Sequence, residues 1–182
     1  MKATQLTLIS HAATAAQRSG CFPIDADDVH DLAPPTLTLP ENSSALTGPE
    51  LRAVHTADLL GLTSTVEPEL RDCNFGRWKG MCLKELQQNE PTLLQAWLTD
   101  PDFSSHGGES IAEVCQRVAL WLGSFTVSGH WVAVTHPMIV RAAMMHVLQC
   151  PLTAFHRVDV SPLSQLHLAH YDVWRVKLNA ME

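Results

Sequence analysis

Residues 6–14 of the chain read LTLISHAAT, an apolar run that ends in a hydroxyl residue, a histidine and two small residues. Three of the first four residues are Leu or Ile, which predicts a buried strand close to the N-terminus. Ligands of α/β proteins sit outside the carboxyl ends of parallel strands, which is where such a strand would deliver His11. His11 is therefore a candidate functional residue.

A second stretch far along the chain has the same pattern. Residues 130–137 read HWVAVTHP, again an apolar run that ends in a hydroxyl residue and a histidine. A single histidine at a strand end is weak evidence, because most histidines are surface or partly buried residues. Two neighbouring strands that each end in one would bring His11 and His136 together, so the matched pair indicates a site.

Three further segments lie between these two histidines. Residues 51–57 read LRAVHTA, residues 70–80 read LRDCNFGRWKG, and residues 107–110 read GGES. In this order, the five segments resemble the histidine phosphatase (phosphoglycerate-mutase-like) superfamily, and they cover about residues 5 to 145. The resemblance implies a small phosphatase-type member that forms a single domain over residues 1–182.

The order of predicted elements agrees with that fold. Strands and helices alternate along the chain, which indicates a mixed, mainly parallel sheet covered on both faces, a three-layer α/β/α sandwich. Apolar periodicity and Gly/Pro breaks predict helices over residues 12–17, from residue 49, over 82–99 with a break at Pro91, over 111–125 and over 138–149. Further strands are expected over residues 43–47, 163–170 and 173–178, and an irregular surface loop over residues 21–45.

Composition and charge disfavour nucleic acid and membranes as partners. The 182 residues are 46% hydrophobic and 17% charged, as in ordinary globular domains. The net charge of −7 disfavours binding to nucleic acid or to an anionic membrane surface. The sequence contains no run of 18 apolar residues, so no membrane span is expected, and the N-terminus does not look like a signal peptide. We therefore expect a cytoplasmic protein with no nucleic-acid and no membrane partner.

Cysteines and histidines do not form a metal-binding pattern. The five cysteines are scattered without a C-x-x-C pair, so we expect them to be reduced, as in a cytoplasmic protein. The ten histidines include no H-E-x-x-H motif, and no Cys/His spacing typical of a zinc site is present. The sequence accordingly predicts no metal and no other cofactor.

The resemblance assigns roles to four residues. His11 would be the nucleophile that becomes a phosphohistidine, with its other ring nitrogen fixed by a backbone carbonyl. His136 would hydrogen-bond a phosphoryl oxygen, and Arg52 would clamp two such oxygens. Asp72 stands where related enzymes commonly carry the acid that protonates the leaving oxygen, although an ordinary ion pair with Arg71 or Arg77 is the alternative. Asp72 is one methylene shorter than the Glu that is frequent at that position.

Four more residues are predicted to bind the phosphate or the substrate: Ser10, Thr14, Arg18 and Glu109. The family usually has Arg-His-Gly where this chain has Ser10-His11-Ala12, so one cation is missing. Arg18 would compensate if its side chain turned inward, and a solvated arginine is the alternative.

Two positions keep alternatives of their own. Glu109 would either orient Arg52 or His136, or cap the helix that follows it. Arg141 is expected to be a helix residue near the pocket wall, and direct binding of the ligand is the alternative.

Two main functions are compatible with these residues. The first is a metal-independent phosphomonoester hydrolase acting on a small phosphorylated substrate. The second is a phospho-ligand-binding or regulatory protein, weakened because Ser10 replaces the arginine and Pro137 removes a backbone N–H donor. A structural role, with the histidine pair incidental, is a third. The sequence names neither the substrate nor the oligomeric state, and Trp78 and Trp97 would serve either core packing or stacking on a ring.

Overall fold

A six-stranded mixed sheet forms the centre of the protein. The computed structural model describes residues 3–29, 39, 42–125 and 127–178. The sheet order is β3-β2-β4-β1-β5-β6. The strands are β1 Thr4–Ser10, β2 Ser44–Thr47, β3 Ser64–Val66, β4 Gly129–Thr135, β5 Gln165–His170 and β6 Trp174–Val176. The first four in the spatial order are parallel, and β5 and β6 complete the sheet in antiparallel fashion.

The register of β1 and β4 places their ends side by side. Ser10 is aligned with Thr135, so His11 and His136 each follow directly after a paired strand end. The N–H of His11 donates to the carbonyl of Thr135 at 2.8 Å, which extends the pairing by one residue. The sheet edge where the sequence predicted the site is therefore the edge where both histidines emerge.

Helices cover both faces of the sheet. They are α1 Ala15–Ser19, α2 Leu51–Leu59, α3 Leu83–Asn89, α4 Pro91–Thr99, α5 Ile111–Ser124 and α6 Pro137–Leu148. Side chains from α4, α5 and α6 pack with Leu6 and Leu8 in one large core cluster. Ile9 points the other way and packs against α2 in a second cluster, as the two-residue period of a strand requires. The expected α/β fold with a mixed, mainly parallel sheet is confirmed.

The first helix begins later than predicted. Thr14 caps it, and α1 starts at Ala15 instead of residue 12. The preceding residues stay extended because the backbone of Ala12 is used elsewhere: its N–H donates to Thr56 Oγ1, and its carbonyl accepts from His11 Nδ1. Contacts across the sheet edge thus override helix propensity at this point.

The expectation that all cysteines are reduced is wrong for two of them. Cys21 and Cys82 form a disulfide, although 61 residues separate them. Backbone hydrogen bonds between the flanking residues, from Phe22 to Met81 and from Leu83 to Gly20, bring the two segments together. Spacing in the sequence gives no sign of this pairing, because tertiary contacts alone create it. The cysteines therefore no longer support the expectation that the protein is cytoplasmic.

Other predicted elements lie close to their expected places. The helix expected from residue 49 begins at Leu51, the break at Pro91 separates α3 from α4, and β3 was not predicted. Part of the loop predicted over residues 21–45 lies outside the described residues.

Trp78 and Trp97 are buried in the aromatic core around Phe22, which supports the packing alternative. Within the described ranges, no helix has the length and apolarity needed to cross a membrane.

Candidate active site

The two histidines predicted at the strand ends meet in the folded protein. The ring centroids of His11 and His136 lie 5.2 Å apart, in an edge-to-face arrangement. Both side chains are buried, with 2% and 0% of their surface exposed. The pairing inferred from two matched sequence patterns is therefore present in the structure.

The ring of His11 is held in one tautomer. Its Nδ1 lies 2.7 Å from the carbonyl oxygen of Ala12, and since a carbonyl only accepts, Nδ1 carries the hydrogen. Burial, reinforced by the charges of His136 and Arg52, lowers the pKa of His11 to about 4, although the Ala12 bond and Asp72 act in the opposite direction. The ring is neutral at pH 7, and Nε2 keeps its lone pair.

Two of the three nitrogens of the Arg52 guanidinium are already bonded within the protein, and its buried Nε has no hydrogen-bond partner among the described residues. Its Nη2 donates to Asp72 Oδ2 at 2.9 Å, and its Nη1 donates to the carbonyl of Ile24. The two partners of this ion pair are 2% and 7% exposed. Asp72 is thus an ion-pair partner, as the sequence allowed, but it pairs with the predicted phosphate clamp instead of Arg71 or Arg77.

His136 is held by a carboxylate that sequence reasoning did not single out. Glu50 Oε2 lies 2.7 Å from His136 Nε2, and Glu50 Oε1 accepts from the backbone N–H of Asp72 at 2.9 Å. Burial alone would raise the pKa of Glu50, but the hydrogen bond and charge of His136, with the Asp72 N–H, lower it to about 2. Glu50 is therefore ionised at neutral pH.

Three residues expected to bind the phosphate have different surroundings. Ser10 is fully buried beside His11, and its hydroxyl finds no hydrogen-bond partner in the described part of the chain. Thr14 is buried too, but its hydroxyl caps α1 by accepting from the N–H of Gln17. Arg18 is exposed near the end of α1, so the structure does not bring its side chain into the cluster. Ser10 therefore occupies the sequence position at which the family usually has an arginine.

Neither role predicted for Glu109 is observed. Its carboxylate accepts from Nε and Nη2 of Arg117 at 3.0 and 3.1 Å and from the backbone N–H of Asn74. The cap of α5 is made by Ser110 and Glu113 instead. Glu109 therefore fixes the segment around Asp72 without touching Arg52 or His136.

Arg117 is a positioning residue that the sequence did not reveal. Besides pairing with Glu109, it donates to the carbonyls of Glu69, Arg71 and Asp72. It sits in the middle of α5, where an arginine usually faces solvent, and no local signal marks it as buried. Glu50 had a weak signal, an acid two residues before the predicted clamp Arg52.

Two carboxylates, Glu50 and Asp72, lie beside the guanidinium of Arg52 and the ring of His136. A cavity of about 420 Å³ is lined by Glu50, Arg52 and Asp72 together with Arg71 and Lys79, whereas His11 and His136 are not among its lining residues. Arg141 is turned away, since its Nε donates to the carbonyl of Val158, which agrees with its expected place outside the ligand set. Within the described ranges, no group of three or more His, Cys, Asp or Glu side chains is arranged to hold a metal ion.

Known proteins share this fold and parts of this sequence. Glucosyl-3-phosphoglycerate phosphatase of mycobacteria superposes with a TM-score of 0.80, at 19% identity over 97% of this chain and 98% of that one. Phosphoserine phosphatase 1 of Hydrogenobacter thermophilus is 28% identical over 144 residues, which are 75% of this chain and 68% of that protein. A bifunctional protein of Mycobacterium tuberculosis is 36% identical over 66 residues, or 36% of this chain and only 18% of that protein's length.

A family model matches most of the chain. The match covers residues 35–181 and therefore contains Arg52, Asp72 and His136, whereas His11 and the altered Ser10-His11-Ala12 segment precede it. The chain belongs to the histidine phosphatase superfamily (branch 1).

Proposed function

We propose that the protein is a phosphomonoester hydrolase that acts through a phosphohistidine on His11 and needs no metal. The observation that carries the proposal is the state of the His11 ring. It is buried, its Nδ1 is bonded to the Ala12 carbonyl, and its pKa of about 4 keeps Nε2 unprotonated at neutral pH. A neutral imidazole with one fixed nitrogen is an activated nucleophile for phosphoryl transfer.

The proposed first step transfers the phosphoryl group to the protein. His11 Nε2 forms a bond to phosphorus while the bond from phosphorus to the ester oxygen breaks, and the leaving oxygen takes a proton from an acid. Water then attacks the phosphohistidine and gives a proton back to that acid, the N–P bond breaks, and inorganic phosphate leaves with His11 restored. His136, next to His11, would donate a hydrogen bond to a phosphoryl oxygen as negative charge builds there.

The ion pair between Arg52 and Asp72 supplies a route to the required acid. A phosphoryl group that binds Arg52 would displace the Asp72 carboxylate from Nη2. Asp72, buried and now beside a dianion instead of a cation, would then take up a proton. In this state it is able to protonate the leaving oxygen, which reconciles the observed ion pair with the role implied by the family.

The names of the relatives support a small phosphorylated substrate. One is a phosphoserine phosphatase and another a glucosyl-3-phosphoglycerate phosphatase, both of which act on phosphate esters of small molecules. We infer a substrate of the same general kind, whose leaving group would enter the cavity lined by Asp72 and Arg71.

Hydrolysis of p-nitrophenyl phosphate in the presence of EDTA tests the proposal. The wild type should turn over with EDTA present, and His11→Ala should lose activity. His130→Ala, which removes an exposed histidine of β4, is the matched control and should remain active. Acid-quenched wild type, but not His11→Ala, should carry acid-labile phosphate after reaction with a labelled phosphodonor. Full activity of His11→Ala would refute the proposed mechanism.

A weakened phosphate-binding protein is the second candidate. It is favoured by the charge balance of the site, where Asp72 already occupies Arg52 and Ser10 replaces a cation. A charged hydrogen bond contributes roughly 1.5–3 kcal/mol, so its absence costs on the order of ten- to a hundred-fold. If the wild type binds phosphate but does not turn over, and Ser10→Arg restores turnover, this second function is supported instead.

A further inference from the structure

The carboxylate of Glu50 connects the two parts of the site that the proposed chemistry uses. One oxygen contacts the ring of His136, and the other accepts from the backbone N–H of Asp72. We propose that Glu50 is a positioning residue of the reaction, which fixes His136 so that Nδ1 is the ring atom offered to the phosphoryl group. This inference rests on the proposed function.

The geometry of the His136 ring determines which nitrogen is available. Glu50 is ionised and therefore only accepts, so the hydrogen of the 2.7 Å contact belongs to His136 Nε2. The other nitrogen, Nδ1, is fully buried and has no hydrogen-bond partner among the described residues. It lies 3.4 Å from Asp72 Oδ2, toward the predicted acid. Since a phosphoryl oxygen accepts, Nδ1 would carry a hydrogen as well as Nε2 when it binds the phosphoryl group, and the Glu50 carboxylate would balance the charge of that imidazolium.

The space for this contact is provided by Gly48. A Cβ at this position would stand 2.9 Å from His136 Nε2 and 3.2 Å from Glu50 Oε2. The backbone of Gly48 does not have a positive φ, so its conformation does not require glycine. The absence of a side chain is needed because the Glu50–His136 pair, together with the carbonyl of Leu70, fills the volume.

The same carboxylate also restrains Asp72. Because Oε1 holds the Asp72 N–H, a shift of Glu50 would move the acid and His136 together. Glu50 itself immediately precedes α2, which begins at Leu51 and carries Arg52 in its first turn. The residue thus couples the helix that bears the clamp to the two side chains that would act on the phosphoryl oxygens. Its proposed effect on the reaction is indirect, because it acts through His136 and Asp72.

Nitrogen-15 NMR of the histidine rings tests the proposal without substrate. The His136 signal is identified by its loss in His136→Asn. In the wild type, Nε2 of His136 should show the resonance of a protonated ring nitrogen, and Glu50→Leu should change that pattern. Glu50→Gln should change it less, because the amide oxygen can still accept. An unprotonated Nε2 in the wild type, or an unchanged pattern in Glu50→Leu, would overturn the inference.

Kinetics provide the second readout. Glu50→Leu and Gly48→Ala, of which the second crowds the pair without removing the carboxylate, should lower kcat by about ten- to a hundred-fold with little change in KM, and Glu50→Gln should lower kcat less. Asp58→Asn removes an exposed carboxylate from α2, the helix that follows Glu50, and should leave kcat unchanged. A rise in kcat in Glu50→Gln would overturn the proposal, because Glu50 would then compete with the phosphoryl group for His136. If no variant and no wild type hydrolyses a phosphate ester, the proposed function fails, whereas the NMR result still decides the role of Glu50.

Discussion

Arg52 and Asp72 form an ion pair that is almost completely removed from solvent, with 2.9 Å between Nη2 and Oδ2. The residue expected to bind phosphate and the residue expected to donate a proton therefore neutralise each other. An anion that binds Arg52 through Nη2 would exchange with the Asp72 carboxylate, whereas Nε has no partner among the described residues. Competition between an internal carboxylate and an external phosphate is the main electrostatic feature of the site.

Removing the internal competitor should strengthen anion binding. In Asp72→Asn, Arg52 loses its carboxylate partner, and we expect inorganic phosphate or vanadate to bind about ten-fold more tightly. The variant should also be less stable by about 3 kcal/mol, since a buried arginine is left without its counter-ion. Isothermal titration calorimetry and chemical denaturation measure the two effects.

The control for Asp72→Asn is Asp58→Asn, which removes an exposed carboxylate. It should change neither phosphate affinity nor stability. If Asp72→Asn bound phosphate more weakly than the wild type, the carboxylate would be helping anion binding, and the competition described above would be wrong.

The buried neutral ring of His11 predicts a pH-dependent stability. Its pKa is about 4 in the folded protein and 6.5 when unfolded, so the unfolded chain takes up the proton first as the pH falls. The free energy of unfolding should therefore fall between about pH 6.5 and pH 4, by on the order of 3 kcal/mol from this group. Urea denaturation of the wild type and His11→Gln measures the difference, which should shrink toward low pH. His130→Gln should follow the wild type, and parallel curves for His11→Gln would contradict the assigned pKa.

Arg117 should be essential for the segment that carries Asp72. In Arg117→Met, Glu109 loses its closest ion-pair partner and keeps Arg71 at 3.4 Å, while three carbonyls lose a donor. We expect a loss of about 3 kcal/mol in the free energy of unfolding, together with faster hydrogen exchange of the Asn74 amide. Lys84→Met removes an exposed cation from α3 and should have little effect. Unchanged exchange at Asn74 would show that the loop is held without Arg117.

The disulfide should contribute measurably to stability. It closes a loop over a separation of 61 residues, so reduction or Cys82→Ser should lower the free energy of unfolding by about 2–4 kcal/mol. Denaturation with and without a reductant gives this difference. Cys150→Ser alters a free cysteine and serves as the control. Equal stability in both redox states would mean that the bridge does not form in solution.

Much of the fold followed from local patterns. The β1 and β4 strands, the break at Pro91 and the long helix α5 were predicted because apolar periodicity and Gly/Pro breaks act over a few residues. The start of α1 was not, because the backbone of Ala12 is held by Thr56 and His11. The errors occur where a long-range hydrogen bond competes with local propensity.

The candidate site shows the same division. His11 and His136 were found because two similar strands each ended in a histidine, a pattern visible without any contact. The partners of these residues were not visible: Glu50 on His136, Asp72 on Arg52, and Arg117 on Glu109. Each of these pairs joins residues that belong to different elements or loops, so neither periodicity nor spacing reports them.

The sequence by itself determined the sheet edge, the two histidines at it and the family to which the chain belongs, because these depend on strand periodicity and on motifs in a fixed order. Only the tertiary structure decided which tautomer His11 adopts, which carboxylate faces each cation and which cysteines are joined. Those outcomes depend on burial and on distances of a few ångströms between elements remote in sequence. In a buried site, such distances set charge and protonation.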